Sequence, residues 1–556
     1  MNYFYPQDQQ ILFTDRKQEL DELNYYRRSL LDGTAEHIAL FGLRRIGKTL
    51  LLKELIRRTL SDTPTILPVY LDFSAICSSP ENFVSGFIGL VCYWVLEKGQ
   101  QNPEPYLSPS TLPLALSQAG AKDLLEYVQP ILQELERSRP DRQVLLRRAF
   151  SFPHQVVAAR EIRLMLVFDE FQEIRTLENY PNSRNVIALY RSEIQTQSKI
   201  QYILAGSAIT ILSNMLSDPQ SPLFTQFTRL SVGTFSREST RELAIKLVGG
   251  TLGEDLYPVI HSLTNGHPYY ITALCRRLNY FIDVVKHPVS SDTIKQAFLV
   301  ETLTPGGRIY DFCRYVYDLS LQKASGYGSL KAILQILAVE EGLTTSQIAR
   351  KLHVTPGSAS DYLRWLCGVD LTTEKDHTYY YRDPILRFWV GNVVRGIEVS
   401  LTTEPLDLKG LIARLDAQFQ RVSEELGTAQ ESLVRELLRQ FDGQMVEGMI
   451  FGNPVPIRLP VFAKVEEYTS VDGQVELDAV AIAPDSECWV VEVKWRNRRT
   501  GLRDLEKLNR HAKKNNARGW FISRSGFTDE AVDYARQSGV YITDAEGLKY
   551  LRKLLA

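Results

Sequence analysis

"EHIALFGLRRIGKTLLLKELIRRTL", residues 36 to 60, decides the fold. It opens as a short apolar strand, passes through a turn bounded by glycines, and continues as a helix with leucines on one face and basic residues on the other. Inside it, "GLRRIGKT" satisfies the spacing G-x-x-x-x-G-K-[ST]. Gly42 and Gly47 leave room for backbone N–H groups to wrap phosphates, and the helix N-terminus adds positive potential. Lys48 is expected to reach the outer phosphates and Thr49 to bind Mg²⁺, with Arg44 and Arg45 of the same loop counted as nucleotide contacts. Strand before and helix after are what this mechanism requires, so ATP with Mg²⁺ is the expected ligand.

Further strands follow at "TILPVYLDFS", "LMLVFDEF" and "QYILAGS", separated by segments long enough for crossover helices. That alternation predicts an α/β domain up to about residue 235, with a parallel sheet covered on both faces. The second of these strands ends in two carboxylates. Asp169 suits the Mg²⁺ shell, and Glu170 suits the task of orienting and activating the attacking water. Residues 101 to 160 read as a mainly helical, proline-punctuated insertion.

A chain of 556 residues is too long for one core. Its 44% hydrophobic and 23% charged residues are ordinary for folded globular domains. With 64 Lys and Arg against 66 Asp and Glu, total charge points to no partner. The six cysteines lie far apart without C-x-x-C spacing, which argues against zinc or a redox pair and for small buried side chains in a reducing compartment. The opening "MNYFYPQDQQ" carries no secretion signal, and the most apolar segment, Phe83 to Glu97, is too short to span a bilayer. A cytoplasmic protein with a buried helix there, and no membrane partner, is expected.

Residues 236 to 325 read as a helical lid, broken at "TNGHPYY". From 326 to 400 three short helices, each opened by Ser, Thr or Pro, precede the β-rich "TYYYRDPILRFWV", the outline of a winged helix-turn-helix. Its third helix, the candidate recognition helix, offers only Ser358, Ser360, Asp361 and Arg364 to DNA. Residues 401 to 425 serve as a linker, and a last domain occupies 426 to 556.

In that last domain, "VELDAVAIAPDSECWVVEVKW" (475 to 495) sets Asp478 on one strand and Glu492 and Lys494 two apart on the next. Alternate residues of a strand share a face, and a hairpin turning about Asp485 or Ser486 brings Asp478 opposite one of them. Charges among Val490, Val491 and Val493 are costly unless paired or bound to metal, and a divalent ion turns carboxylate repulsion into ligation. The amphipathic run before the hairpin could add Glu431. Residues 494 to 518 hold ten Lys or Arg and two acids, a plausible phosphate footprint.

Residues from about 10 to 400 resemble the archaeal-type ATPase family, a branch of the AAA+ and STAND nucleotide-binding proteins, on "GLRRIGKT", "LVFDEFQEI", "LAGSAITILSNM", "NGHPYY" and "YYYRDPILRFWV" in that order. The resemblance implies that Ser207 senses the γ-phosphate and that the Gly266-His267-Pro268 turn touches the nucleotide. It also implies an Arg where this chain has Gln226, with Arg229 three residues on. Glu431, Asp478, Glu492 and Lys494, as "ELD" and "EVK", resemble the PD-(D/E)xK nuclease fold. That implies Mg²⁺ held by Asp478 and Glu492, support from Glu431, and Lys494 placing the hydrolytic water or steadying the phosphorane charge.

These readings combine into an ATPase whose nucleotide state gates a metal-dependent nuclease, with DNA favoured over RNA as partner. The rival is an ATP-switched DNA-binding regulator that does not cut. Self-assembly and a protein trigger are compatible with either.

Overall fold

The structure is a computed structural model that describes residues 4–195, 198–249, 252–321, 326–393, 434–435, 437–469, 476–484, 487–495 and 499–555. The chain divides into two compact units, residues 1–402 and 403–556. Each is α/β. The linker expected at 401–425 and the candidate Glu431 lie outside the described residues.

The first unit is built on five parallel strands in the order β2-β3-β4-β1-β5: β1 (Ile38–Phe41), β2 (Ile66–Asp72), β3 (Arg163–Asp169), β4 (Ile200–Gly206) and β5 (Thr228–Ser231). β3 and β4 are buried almost throughout, as expected of strands covered on both faces. Because β1 lies next to β4, and β4 next to β3, the carboxyl ends of three consecutive neighbours open onto one edge. That edge carries Gly42, Ser207 and Asp169. Four of the strands, β1 to β4, were legible as apolar runs. β5, "TRLS", was not, because its four residues carry no apolar run and only its pairing with β1 makes it a strand.

The Pro80–Glu97 helix is buried along most of its length against the sheet, and among the described residues no helix is long and apolar enough to cross a membrane. The insertion forms the helices Glu104–Leu107, Leu112–Gln118, Lys122–Leu135 and Arg142–Arg160, two of which carry an internal proline. Leu107 and Leu135 from it help to wall a cavity of about 960 Å³ beside Tyr70 and Trp94. Among the described residues five helices follow between Arg237 and Leu321.

Beyond them lie the helices Tyr327–Val339, Thr345–Leu352 and Pro356–Gly368, with a small antiparallel sheet ordered β6-β8-β7 from β6 (Leu343–Thr344), β7 (Thr372–Lys375) and β8 (Thr378–Tyr381). A capping box of Thr344 and Gln347 starts the second helix. One expectation is corrected here. "TYYYRDPILRFWV" is strand only through Tyr381, and Pro384–Val393 is a helix. Asp383 ends the strand by accepting the Ile385 N–H at 2.8 Å, and proline at the first helical position costs no hydrogen bond.

The second unit holds β9 (Met445–Val446) paired with β10 (Ile457–Arg458), and a mixed sheet in sequence order β11 to β15. β11 (Lys464–Thr469), β12 (Glu476–Ile482) and β13 (Cys488–Lys494) are antiparallel; β14 (Arg518–Ser523) and β15 (Tyr541–Asp544) add in parallel through helices. Trp489, Val491, Val493 and Trp520 pack on one face, while Val490 and Phe521 pack with Leu505 and Leu508 of the Leu502–Lys514 helix on the other.

Candidate active sites for nucleotide and phosphodiester

At the end of β1 the chain turns through Gly42 to Gly47 into the Lys48–Asp62 helix. Gly47 stands at φ 102°, a left-handed backbone that only glycine adopts without strain. Gly42 is needed for space, since a Cβ there would lie 2.7 Å from the Val232 carbonyl oxygen. Lys48 is 5% exposed, and its ammonium donates to the carbonyls of Gly42 at 2.7 Å and Leu43 at 3.0 Å. Burial lowers its pKa to about 8. A buried cation whose hydrogen bonds go to neutral carbonyls is the environment that a phosphate would complete.

Thr49 Oγ1 donates to Asp169 Oδ2 at 2.6 Å, which places the hydroxyl and the carboxylate where one Mg²⁺ could take both. Tyr70 on β2 donates to the same oxygen at 3.0 Å, and the Glu170 N–H donates to Asp169 Oδ1 at 3.1 Å. Asp169 is 3% exposed, and burial is the main cause raising its carboxyl above the usual range. Neither Tyr70 nor its role was legible in the sequence. The parallel register, Tyr70 beside Val167 and Asp72 beside Asp169, is what brings it there.

Glu170 follows at φ 50°. Its Oε2 accepts Ser207 Oγ at 2.8 Å, Ser207 N–H at 3.1 Å and Gln172 Nε2 at 2.5 Å. A cleft of about 410 Å³ is lined by Arg44, Arg45, Gly47, Lys48, Thr49, Glu170, Ser207, Phe312 and Tyr315. The Arg45 guanidinium lies 4.4 Å above the Tyr269 ring and 4.7 Å above that of Phe312. His267 is buried just before Pro268, which starts the Pro268–Asp283 helix, and its Nε2 donates to the Arg44 carbonyl at 3.2 Å. Burial lowers its pKa to about 3, so the ring is neutral. The start of the Pro268–Asp283 helix and the loop from Gly42 to Gly47 therefore touch through backbone and imidazole.

Two carboxylates that the sequence did not single out tie the 326–393 segment to this region. Asp370 accepts the Thr210 hydroxyl at 2.7 Å and its N–H at 3.1 Å, three residues beyond Ser207. Asp383 accepts the Tyr270 hydroxyl, three residues beyond His267. Arg229 donates to the Leu216 carbonyl at 3.4 Å and to the Ser217 hydroxyl, at the end of the helix that follows Ser207. Gln226 lines a separate surface cleft.

In the second unit the β12–β13 register pairs Ala479 with Val491 and Ile482 with Cys488, so the next position sets Asp478 opposite Glu492. Asp478, Glu492 and Lys494 share the face of Val490. The Val493 N–H donates to Asp478 Oδ2 at 2.6 Å, and Lys494 Nζ lies 2.6 Å from Glu492 Oε1. Glu492 and Lys494 side chains are 14% and 34% exposed, partly sheltered yet open to solvent. Among the described residues no three of His, Cys, Asp and Glu cluster as a metal site. Asp478 and Glu492 would offer hard carboxylate oxygens to Mg²⁺. Arg503, Lys507, Arg510 and Lys514 stand exposed at helical spacing along Leu502–Lys514.

Comparison with known proteins places this second site within a defined family segment. Residues 462–551 match the Mrr_cat family, restriction endonuclease. No curated protein matches the chain. Solved structures similar to the first unit include a Walker-type ATPase of Pyrococcus abyssi, at 16% identity and a TM-score of 0.45, covering 68% of this chain and 96% of that one. The ORC2 protein of Aeropyrum pernix is similar at 15% identity and TM-score 0.41, covering 68% and 94%. The RuvB Holliday junction branch migration motor of Thermotoga maritima is similar at 13% and 0.33, covering 68% and 95%. The chain thus joins an ATPase-like α/β unit, recognised by its own sheet order and phosphate loop, to a restriction-endonuclease-like unit.

Proposed function

We propose that the first unit binds and hydrolyses ATP and that its nucleotide state gates a Mg²⁺-dependent nuclease in the second unit, with DNA as the substrate. The observation that carries the reading is the sharing of one sheet face by Asp478, Glu492 and Lys494 inside the matched family segment, in a chain that also sets Thr49 against Asp169.

In the first unit Lys48 would bind the β- and γ-phosphates, Thr49 and Asp169 would hold Mg²⁺, Ser207 would contact the γ-phosphate, and Glu170 would take the proton of the attacking water. In the second, Asp478 and Glu492 would hold the ion and Lys494 would orient the hydrolytic water or donate to the phosphorane oxygens. Bound Mg²⁺ supplies Lewis acidity to the scissile phosphate. Water's oxygen forms the new P–O bond and one ester P–O bond breaks, leaving a phosphate monoester and a hydroxyl. The exposed basic stripe on Leu502–Lys514 supports nucleic acid as the partner.

The test is plasmid cleavage by the full chain with Mg²⁺ and ATP, ADP or no nucleotide. Lys494→Ala is expected to lower cutting on the order of 10²-fold or more while leaving ATP turnover intact. Lys48→Ala is expected to change Lys494-dependent cutting. Absence of any Lys494-dependent cleavage would leave a non-cutting, ATP-switched DNA-binding protein.

A further inference from the structure

The sequence assigns no role to Gln172, yet its amide meets the proposed water-activating carboxylate. We propose that Gln172 is a positioning residue that restrains Glu170 and thereby sets a low basal rate of ATP hydrolysis. The inference rests on the reading of Glu170 as the group that takes the proton from water.

Gln172 lies on the 3-10 turn Phe171–Asn179 and is 8% exposed. Its Nε2 donates to Glu170 Oε2 at 2.5 Å. Its Oε1 is buried with no hydrogen-bond partner, an unfavourable position held because the other end of the amide serves Glu170. The amide also fills the space a side chain on Gly206 would need, immediately before Ser207. Gln172 is therefore lodged between Glu170 and Gly206, the residue before Ser207.

Three donors converge on Oε2 of Glu170, two of them from Ser207. An oxygen has lone pairs for about two good hydrogen bonds, so the third donor holds the carboxylate in place without being needed to satisfy it. Ser207 cannot give its hydroxyl to the γ-phosphate and to Glu170 together. When the Ser207 hydroxyl turns to the γ-phosphate, Gln172 is the side-chain donor that stays on Glu170 beside the Ser207 N–H, and the carboxylate stays directed at the end of β4. Release of the Gln172 contact sets how often Glu170 reaches water.

The test compares steady-state ATP hydrolysis by the full chain carrying Gln172→Met, which keeps length and removes the donor, and Gln172→Asn, which keeps the amide but falls short of Glu170. Both are expected to raise kcat about threefold or more with KM for ATP unchanged. A kcat that stays equal or falls in both, with circular dichroism unchanged, overturns the proposal. Should Gln172→Met fail to fold, the more conservative Gln172→Asn decides alone. Adding Glu170→Gln to either variant is expected to abolish the gain. If turnover persists in the double variant, Glu170 is not the proton acceptor, and it is the underlying assignment that fails.

Discussion

Lys48 shows how a single residue links stability, pH and binding. Its pKa of about 8, against 10.5 in the open chain, means that between those values the unfolded chain keeps a proton that the folded chain has released. Stability without nucleotide therefore rises with pH through that window, and the cost of burying the ammonium is fully present below it. ATP reverses the preference by placing phosphate at the ammonium, so binding takes up a proton above pH 8. Affinity for a fluorescent ATP analogue is expected to weaken about tenfold from pH 7 to pH 9. Lys48→Ala should bind weakly at both values and lose the slope; an unchanged slope in that variant would assign the proton to another group. At the same scale, Glu170→Gln should bind ATP normally and lose hydrolysis by on the order of 10²-fold or more. Equal turnover would show that Glu170 has been misassigned.

Among the elements, the β12–β13 hairpin and the Leu502–Lys514 helix divide the work of the second unit. The hairpin buries Trp489 on one face and presents carboxylates and lysine on the other, so the same alternation that builds the core builds the site. The helix buries Leu505, Leu508 and Ala512 beneath the sheet, which leaves Arg503, Lys507, Arg510 and Lys514 with no choice but solvent. Exposed cations of this kind contribute little to stability. Their expected role is with phosphate. Lys507→Glu combined with Arg510→Glu should therefore leave melting temperature nearly unchanged, weaken DNA binding, and reduce the slope of log affinity against log salt by about two. A slope that does not move would remove this helix from the interface.

At the scale of the molecule, two compact units predict two unfolding events. A non-hydrolysable ATP analogue with Mg²⁺ at a hundred times its dissociation constant should stabilise one of them by about 2.7 kcal/mol. Calorimetry would show one transition rising and the other fixed, with the rise lost in Lys48→Ala. Both transitions moving together would mean that the units unfold cooperatively, and would favour tight coupling between nucleotide and nuclease. Within the first unit Asp370 on Thr210 and Asp383 on Tyr270, each three residues from a group proposed to touch nucleotide, join the 326–393 segment to the nucleotide region.

The sequence by itself determined the phosphate loop, the apolar strands β1, β2, β3 and β4, and the pairing of acid and lysine on the final hairpin. These are local patterns, in which spacing along the chain and the period of the strand dictate which side chains meet. Four other features were decided only by tertiary structure. They are the short strand β5, the helix beginning at Pro384, the hydroxyl of Tyr70 on Asp169, and Gln172 lodged between Glu170 and Gly206. The strand, the Tyr70 contact and the seat of Gln172 beside Gly206 depend on which strands become neighbours, and strand order follows from burying the whole sheet rather than from any single segment's preference.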